Sequence, residues 1–351
     1  MSNFSNIARI AMAFVGVVVG AGFASGQETL QFFSSFGYWG LLGGVIAGVC
    51  FTVLGMAVGR LSQIQVSDSY KAGIYLICGK YLGVVMDVLI TFFMYAIAVV
   101  MFAGGGSLLE QQWGIPANYG SIAVMVATVL IVFMRVERIL AFIGSITPVL
   151  VLMVVVLSIY AWSTRDLPLA ELDQLAQGKP QGAGHWLVAA LLYVSYNMVL
   201  GAPFLMIAGS QASSRRNAVW GGIVGGALLC LLIVLISSGV FARVDTVGDA
   251  ALPMLMLASE QAPWLGMVMA VVIFAMILNT AVGVLYAFSA RVMTPGTLRF
   301  KVGTAVAGVV GVLGAKLGFI TLVGTVYPIF GYLGFVLMAA ILIAWMRLRR
   351  S

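Results

Sequence analysis

The chain has 351 residues, of which 62% are apolar and only 8% charged. That balance excludes a soluble globular enzyme or nucleic-acid binder and marks a polytopic membrane protein. The net charge of +7 follows from membrane topology rather than from an acidic partner.

A span needs roughly 20 apolar residues, and ten apolar runs meet that length, at about 7–33, 38–60, 81–110, 118–135, 138–163, 185–210, 217–242, 264–293, 302–319 and 320–346. The first opens as IARIAMAFVGVVV and then reads VGAGFASGQE over Val19 to Glu28. Glycines, a serine, a glutamine and a carboxylate stand there at a depth where lipid offers no hydrogen bonds. Backbone leaves a helix at that depth only where protein or a watery cavity satisfies it. The n-region MSNFSNIAR carries one arginine, and the hydrophobic stretch continues through the glycines into a second half, so a retained span is expected rather than a signal peptide.

Between the second and third runs, Ser62–Lys80 is too polar to span, and a short cytoplasmic helix is expected. The third run carries Asp87 and a Gly104-Gly105-Gly106 string, either a packing notch or a place where substrate approaches backbone; Glu110 ends it as a solvated residue. The polar stretch Ser163–Gly184 separates five runs from five. The sixth run is the counterpart of the first. Ser195, Tyr196 and Asn197 interrupt it, Gly201 and Pro203 follow, and a break near Asn197–Pro203 is expected because proline removes a backbone donor. Paired interruptions in two halves point to a transporter site. Thr246–Pro263 is expected outside, partly helical, as a cover. The eighth run holds Asn279 and Thr280 at mid-helix.

With the N-terminus cytoplasmic and an even number of spans, 14 of the 18 lysines and arginines fall on the cytoplasmic side. That is the positive-inside bias, and it places both termini in the cytoplasm of a bacterial inner-membrane protein. One membrane domain over 1–351 is expected, built of inverted repeats at about 7–163 and 185–346.

Glu28 is the sharpest chemical candidate, because an ionisable group inside a span is a functional hypothesis. A coupling proton, a substrate amine or an outer gate are its open roles, beside that of an interfacial carboxylate. Asp87 is a second proton-coupling candidate, unless it pairs with Lys80 at the interface. Asn279 and Thr280 suit a hard cation or interhelical hydrogen bonds. Phe23, Tyr193, Tyr196, Tyr327 and Tyr332 are candidates to line a cavity. Cys50, Cys78 and Cys230 lack metal-type spacing and read as reduced thiols; His185 reads as an interfacial residue. No Walker loop, catalytic metal cluster or nucleophile constellation is present, so neither an enzyme nor a bound cofactor is expected.

VGAGFASGQETLQFF, the five-plus-five division and the polar sixth run resemble the amino acid–polyamine–organocation superfamily, whose fold is the inverted repeat of the bacterial leucine transporter, LeuT. Within it, GAGFASGQE looks like the YkvI-type membrane proteins. The resemblance implies an all-α fold with helices 1 and 6 broken. Spans one, two, six and seven would move against three, four, eight and nine. It implies substrate contacts at Gly20, Ala21, Gly22, Phe23, Ala24, Ser25, Glu28, Tyr193, Tyr196, Asn197 and Gly201, with amides near Gly22–Ser25 facing a substrate carboxylate. It also implies a sodium site at Gly16, Val19, Met276, Asn279 and Thr280, with asparagine where a smaller hydroxyl residue is usual. The fifth run lacks the lysine that some proton-coupled relatives place there. The expected activity is sodium- or proton-coupled symport of a small amino acid or other small organic zwitterion or cation. A passive channel or a non-transporting sensor or scaffold are the alternatives, and oligomeric state is left open.

Overall fold

The structure, a computed structural model, describes residues 3–64, 70–134 and 147–350. Among these all regular structure is helical: α1 (Asn3–Val18), α2 (Ala21–Ser25), α3 (Gln27–Phe32), α4 (Gly37–Leu61), α5 (Tyr70–Trp113), α6 (Ala117–Phe133), α7 (Thr147–Ser163), α8 (Leu169–Gln177), α9 (Trp186–Ser210), α10 (Arg215–Ala242), α11 (Val244–Val247), α12 (Pro253–Gln261), α13 (Pro263–Val292), α14 (Leu298–Ala315) and α15 (Phe319–Arg350). Seven helical segments are long and apolar enough to cross a membrane, and three shorter apolar helices accompany them. Arg135, Arg138 and the start of the fifth run lie outside the described residues.

The apolar character runs around most helices rather than along one stripe. Valines such as Val49 on α4 and Val271 on α13 are exposed, as expected of faces solvated by hydrocarbon. Helix association then depends on close backbone approach through small residues. The crossing of α4 with α10 illustrates this: a β-carbon added at Gly55 would stand 2.5 Å from the Gly222 carbonyl oxygen. The Gly104–Gly106 string is likewise a packing notch, since added β-carbons would strike Phe319, Val124 and Ser121.

Two groups of helices emerge from the packing. α1, α4, α9 and α10 contact one another, while α5 packs on α6, α13 and α14. These correspond to the two sets of spans expected to move against each other. α5 begins with a short helix that turns at Gly79 (φ 72°, ψ −174°) before the span proper. The short helix expected between the second and third runs is therefore present from Tyr70, and residues 65–69 lie outside the described residues. The segment expected as a partly helical cover forms α11 and α12, and Met254 and Pro253 of α12 press against Gly26.

The first span is broken as expected. α1 ends at Val18, Gly20 is extended (φ −94°, ψ −170°), and Gly26 adopts a left-handed conformation (φ 81°) between α2 and α3. Its counterpart differs. α9 continues as one helix through Ser195–Pro203. The polar residues there find partners without unwinding it: Asn197 Nδ2 donates back to the Tyr193 carbonyl (2.9 Å), and Ser195 Oγ donates to the Gly331 carbonyl on α15 (2.6 Å). Pro203 removes one donor from the ladder, which loosens the helix but does not end it.

Candidate functional site: a cavity at the broken first helix

The ladder of α1 closes with the Val19 N–H on the Val15 carbonyl (2.7 Å), and the Gly20 N–H then turns to Val18 (2.9 Å). Among the described residues no backbone N–H is directed at the carbonyls of Gly16, Val17 or Val19. These three residues line a cavity of about 470 Å³ together with Gly20, Ala21, Gly22 and Glu28. Met276, Asn279 and Thr280 of α13 face them across it. The approach is close: a β-carbon at Gly20 would stand 3.6 Å from Thr280 Oγ1. Unpaired carbonyls of a broken helix and two oxygen-bearing side chains thus belong to the lining of one cavity, a donor set suited to a hard cation.

Glu28 forms the deep end. It is only 5% exposed, not an interfacial carboxylate. Tyr196 donates its hydroxyl to Glu28 Oε2 (2.8 Å), and Tyr327 lines the same end of the cavity. The rings of Tyr196 and Tyr327 stack at 4.8 Å, with Phe93 edge-on to both at 6.4 Å. The carboxylate folds back against α2, so that a β-carbon at Gly22 would collide with Glu28 Oε1. Gly22 is required because the carboxylate occupies the space a side chain would need.

The cavity wall continues along Leu200, Phe204 and Ala287, toward the end of α9 that meets the start of α1, where Arg9 donates to the Gln211 carbonyl (3.1 Å). At the other end α2 and α3 are covered: Met254 is fully buried over Gly26.

Several expected contacts lie elsewhere. Phe23, Ala24 and Ser25 do not line the cavity. Ser25 Oγ instead donates to the Gly22 carbonyl (2.8 Å) and accepts from the Gln27 N–H (3.2 Å), which secures the turn into α3. Tyr193 sits behind the wall in a cluster with Phe32, Phe33 and Phe51. Gly201 faces Phe14 of α1, with 3.2 Å to an added β-carbon, and serves packing. Tyr332 is exposed on the outer surface. Asp87 is held by Arg291 (2.8 Å) and Lys71 (3.4 Å) in a separate cluster. Its position near a helix end allows cationic partners that a mid-span residue would lack. His185 caps α9 by accepting from the Leu187 N–H (3.2 Å).

Sequence reasoning did not find Phe93, Met94, Ile97 and Met101 of α5, which form the apolar wall. They are ordinary apolar residues in an apolar helix, and nothing in their spacing separates a cavity wall from a packed face.

A transmembrane helical bundle with a discontinuous first helix opening onto a central cavity has the architecture of secondary transporters. Solved structures bear this out at the level of fold. Mhp1 in an inward-facing conformation superposes with a TM-score of 0.69 at 14% identity, over 98% of this chain and 77% of that one. MhsT in complex with L-phenylalanine gives 0.65 at 16% identity, over 94% and 87%. A mutant manganese transporter from Eremococcus coleocola gives 0.60 at 14% identity, over 95% and 78%. These neighbours are membrane transporters, not enzymes. No family model matches the chain. In sequence it is similar to the uncharacterized membrane protein YkvI of Bacillus subtilis (strain 168), 27% identical over 348 residues, 98% of this chain and 97% of that protein. It is also similar to the uncharacterized protein YyaD of the same organism, 24% identical over 332 residues, 95% of each.

Proposed function

We propose that this protein is a secondary active transporter, a cation-coupled symporter of a small organic cation or zwitterion working by alternating access. The observation that carries the reading is the interrupted first helix. It leaves carbonyls without helical partners in the same cavity as Asn279, Thr280 and a buried carboxylate. Sodium fits the first group, with Gly16, Val19 and Met276 as carbonyl ligands and Asn279 and Thr280 as side-chain ligands. A proton carried by Glu28 is the competing choice of coupling ion.

The geometry also bears on which end of a substrate approaches α2. The resemblance implied a substrate carboxylate at the amides near Gly22–Ser25. Glu28 already lies against Gly22, and two carboxylates side by side in a low-dielectric cavity repel strongly. An amine is the complementary group for Glu28, and the stacked faces of Tyr196 and Tyr327 favour a cation. An amino acid would then bind amine-first, and an amine without a carboxylate would bind as well. The cavity wall continues through Leu200, Phe204 and Ala287 toward the terminus-bearing end, which is the cytoplasmic end by the distribution of lysine and arginine. Assembly as a single membrane domain in the bacterial cytoplasmic membrane belongs to the same reading.

The test has two stages. Purified protein is first screened by thermal shift against amino acids, amines and osmolytes in sodium and in potassium. Any stabilising compound is then followed in proteoliposomes under imposed sodium or proton gradients. Uphill accumulation driven by sodium is the expected result. Equal thermal stability in sodium and potassium with every compound removes the sodium assignment. Gradient-independent equilibration marks a facilitator, and binding without movement marks a sensor.

A further inference from the structure

A second cavity, remote from the first, lies between α4, α10 and α15. Its volume is about 440 Å³, and its walls are Met56, Arg60, Arg215, Arg216, Val219, Trp220 and Trp345. Three arginines therefore face one small space. Among the described residues none of them forms an ion pair. Asp87, the described carboxylate nearest in role at this end of the bundle, is already engaged by Arg291 and Lys71. Among the described residues Arg60 Nε is buried without a hydrogen-bond partner, a donor that is expensive to leave unsatisfied.

The fold holds these charges together rather than letting them spread. Gly59, one residue before Arg60, packs against α10, where an added β-carbon would stand 2.5 Å from the Ala218 carbonyl oxygen. That contact fixes the end of α4 beside the start of α10. Arg215 and Arg216 occupy the first turn of α10, where the helix dipole disfavours cations. Their placement does not serve the helix, and like charges at this range repel. An anion in the shared space offsets both effects, and guanidinium groups are well matched to phosphate oxygens.

The surroundings select a lipid phosphate over a free one. Val45, Val49, Val53, Met56 and Arg60 follow at steps of three or four residues, which puts them along one face of α4. The three valines are exposed, so an apolar track leads down the helix to the arginine. Trp220 is 45% exposed beside the same cavity, a position tryptophan favours at headgroup depth. We propose that this cavity binds an anionic phospholipid. Its phosphate is held by Arg60, Arg215 and Arg216, and an acyl chain lies along Val53, Val49 and Val45.

Native mass spectrometry of the purified full chain, titrated with phosphatidylglycerol, phosphatidylcholine or inorganic phosphate, tests this. Phosphatidylglycerol is expected to be retained in preference to phosphatidylcholine, with inorganic phosphate at equal concentration not competing. Each arginine changed to glutamine should weaken phosphatidylglycerol about fivefold, the scale of one basic residue at an anionic surface. The control Arg299→Gln/Lys301→Gln, charge-matched to the double variant Arg215→Gln/Arg216→Gln, should retain wild-type preference. Arg215→Gln/Arg216→Gln changes only exposed side chains and keeps the test valid if Arg60→Gln impairs folding. The proposal is overturned if that double variant binds phosphatidylglycerol like wild type, if the control loses as much, or if inorganic phosphate displaces the lipid.

Discussion

The two halves of the molecule solve the same problem differently. In the first, the chain leaves the helix at Gly20 and again at Gly26, and backbone carbonyls are left without helical partners. In the second, α9 stays helical through Ser195–Pro203, and side chains do the work: Tyr196 reaches Glu28, while Ser195 and Asn197 bond carbonyls. The difference teaches that a polar interruption in a membrane helix has two outcomes. Glycines permit backbone release. Hydroxyl and amide side chains within reach of neighbouring carbonyls satisfy themselves and leave the helix standing.

This contrast is open to direct attack. The largest expected effect is that of Glu28→Gln, which keeps the shape and removes the one formal charge on the cavity wall. Uptake in proteoliposomes should fall about 100-fold, the scale of truncating one partner of a buried charge pair; wild-type uptake would sink the substrate assignment. Next is Gly26→Ala. A left-handed alanine costs about 1–2 kcal/mol, and its methyl would meet Met254 Cγ at 2.8 Å. A lower melting temperature and loss of transport are expected, and an unchanged protein would mean the turn is not needed. Thr280→Ala removes an oxygen facing Gly20 and should raise the sodium concentration for half-maximal uptake roughly tenfold, the worth of one bond to a charge. Tyr196→Phe deletes the donor to Glu28 and should weaken amine binding by a similar or smaller factor, measured by calorimetry; tighter binding would show that the tyrosine competes with substrate.

Smallest is Pro203→Ala. If α9 functions as a continuous helix, restoring an N–H there changes uptake about threefold or less. A collapse of transport would instead falsify the view that only the first span needs a backbone break.

Much of this was legible along the chain. Composition alone dictates the membrane class, because no soluble core needs so many apolar residues and so few charges. The run lengths place the spans, and VGAGFASGQE places the break, because glycines with polar side chains cannot sit in lipid as an intact helix. Asn279 and Thr280 were visible for the same reason: polar oxygens at mid-span need a partner. The tertiary structure alone decided where each side chain points. The left-handed turn at Gly26, under α12, rotates Glu28 back onto Gly22 and turns Phe23 and Ser25 away from the cavity. Packing of α5 and α15 against α9 brings Phe93 and Tyr327 to Tyr196, contacts between residues more than a hundred positions apart. Apolar residues carry no local mark of whether they will face a cavity, a neighbour or lipid, so the walls of the site and the continuity of α9 emerge only when the helices are assembled.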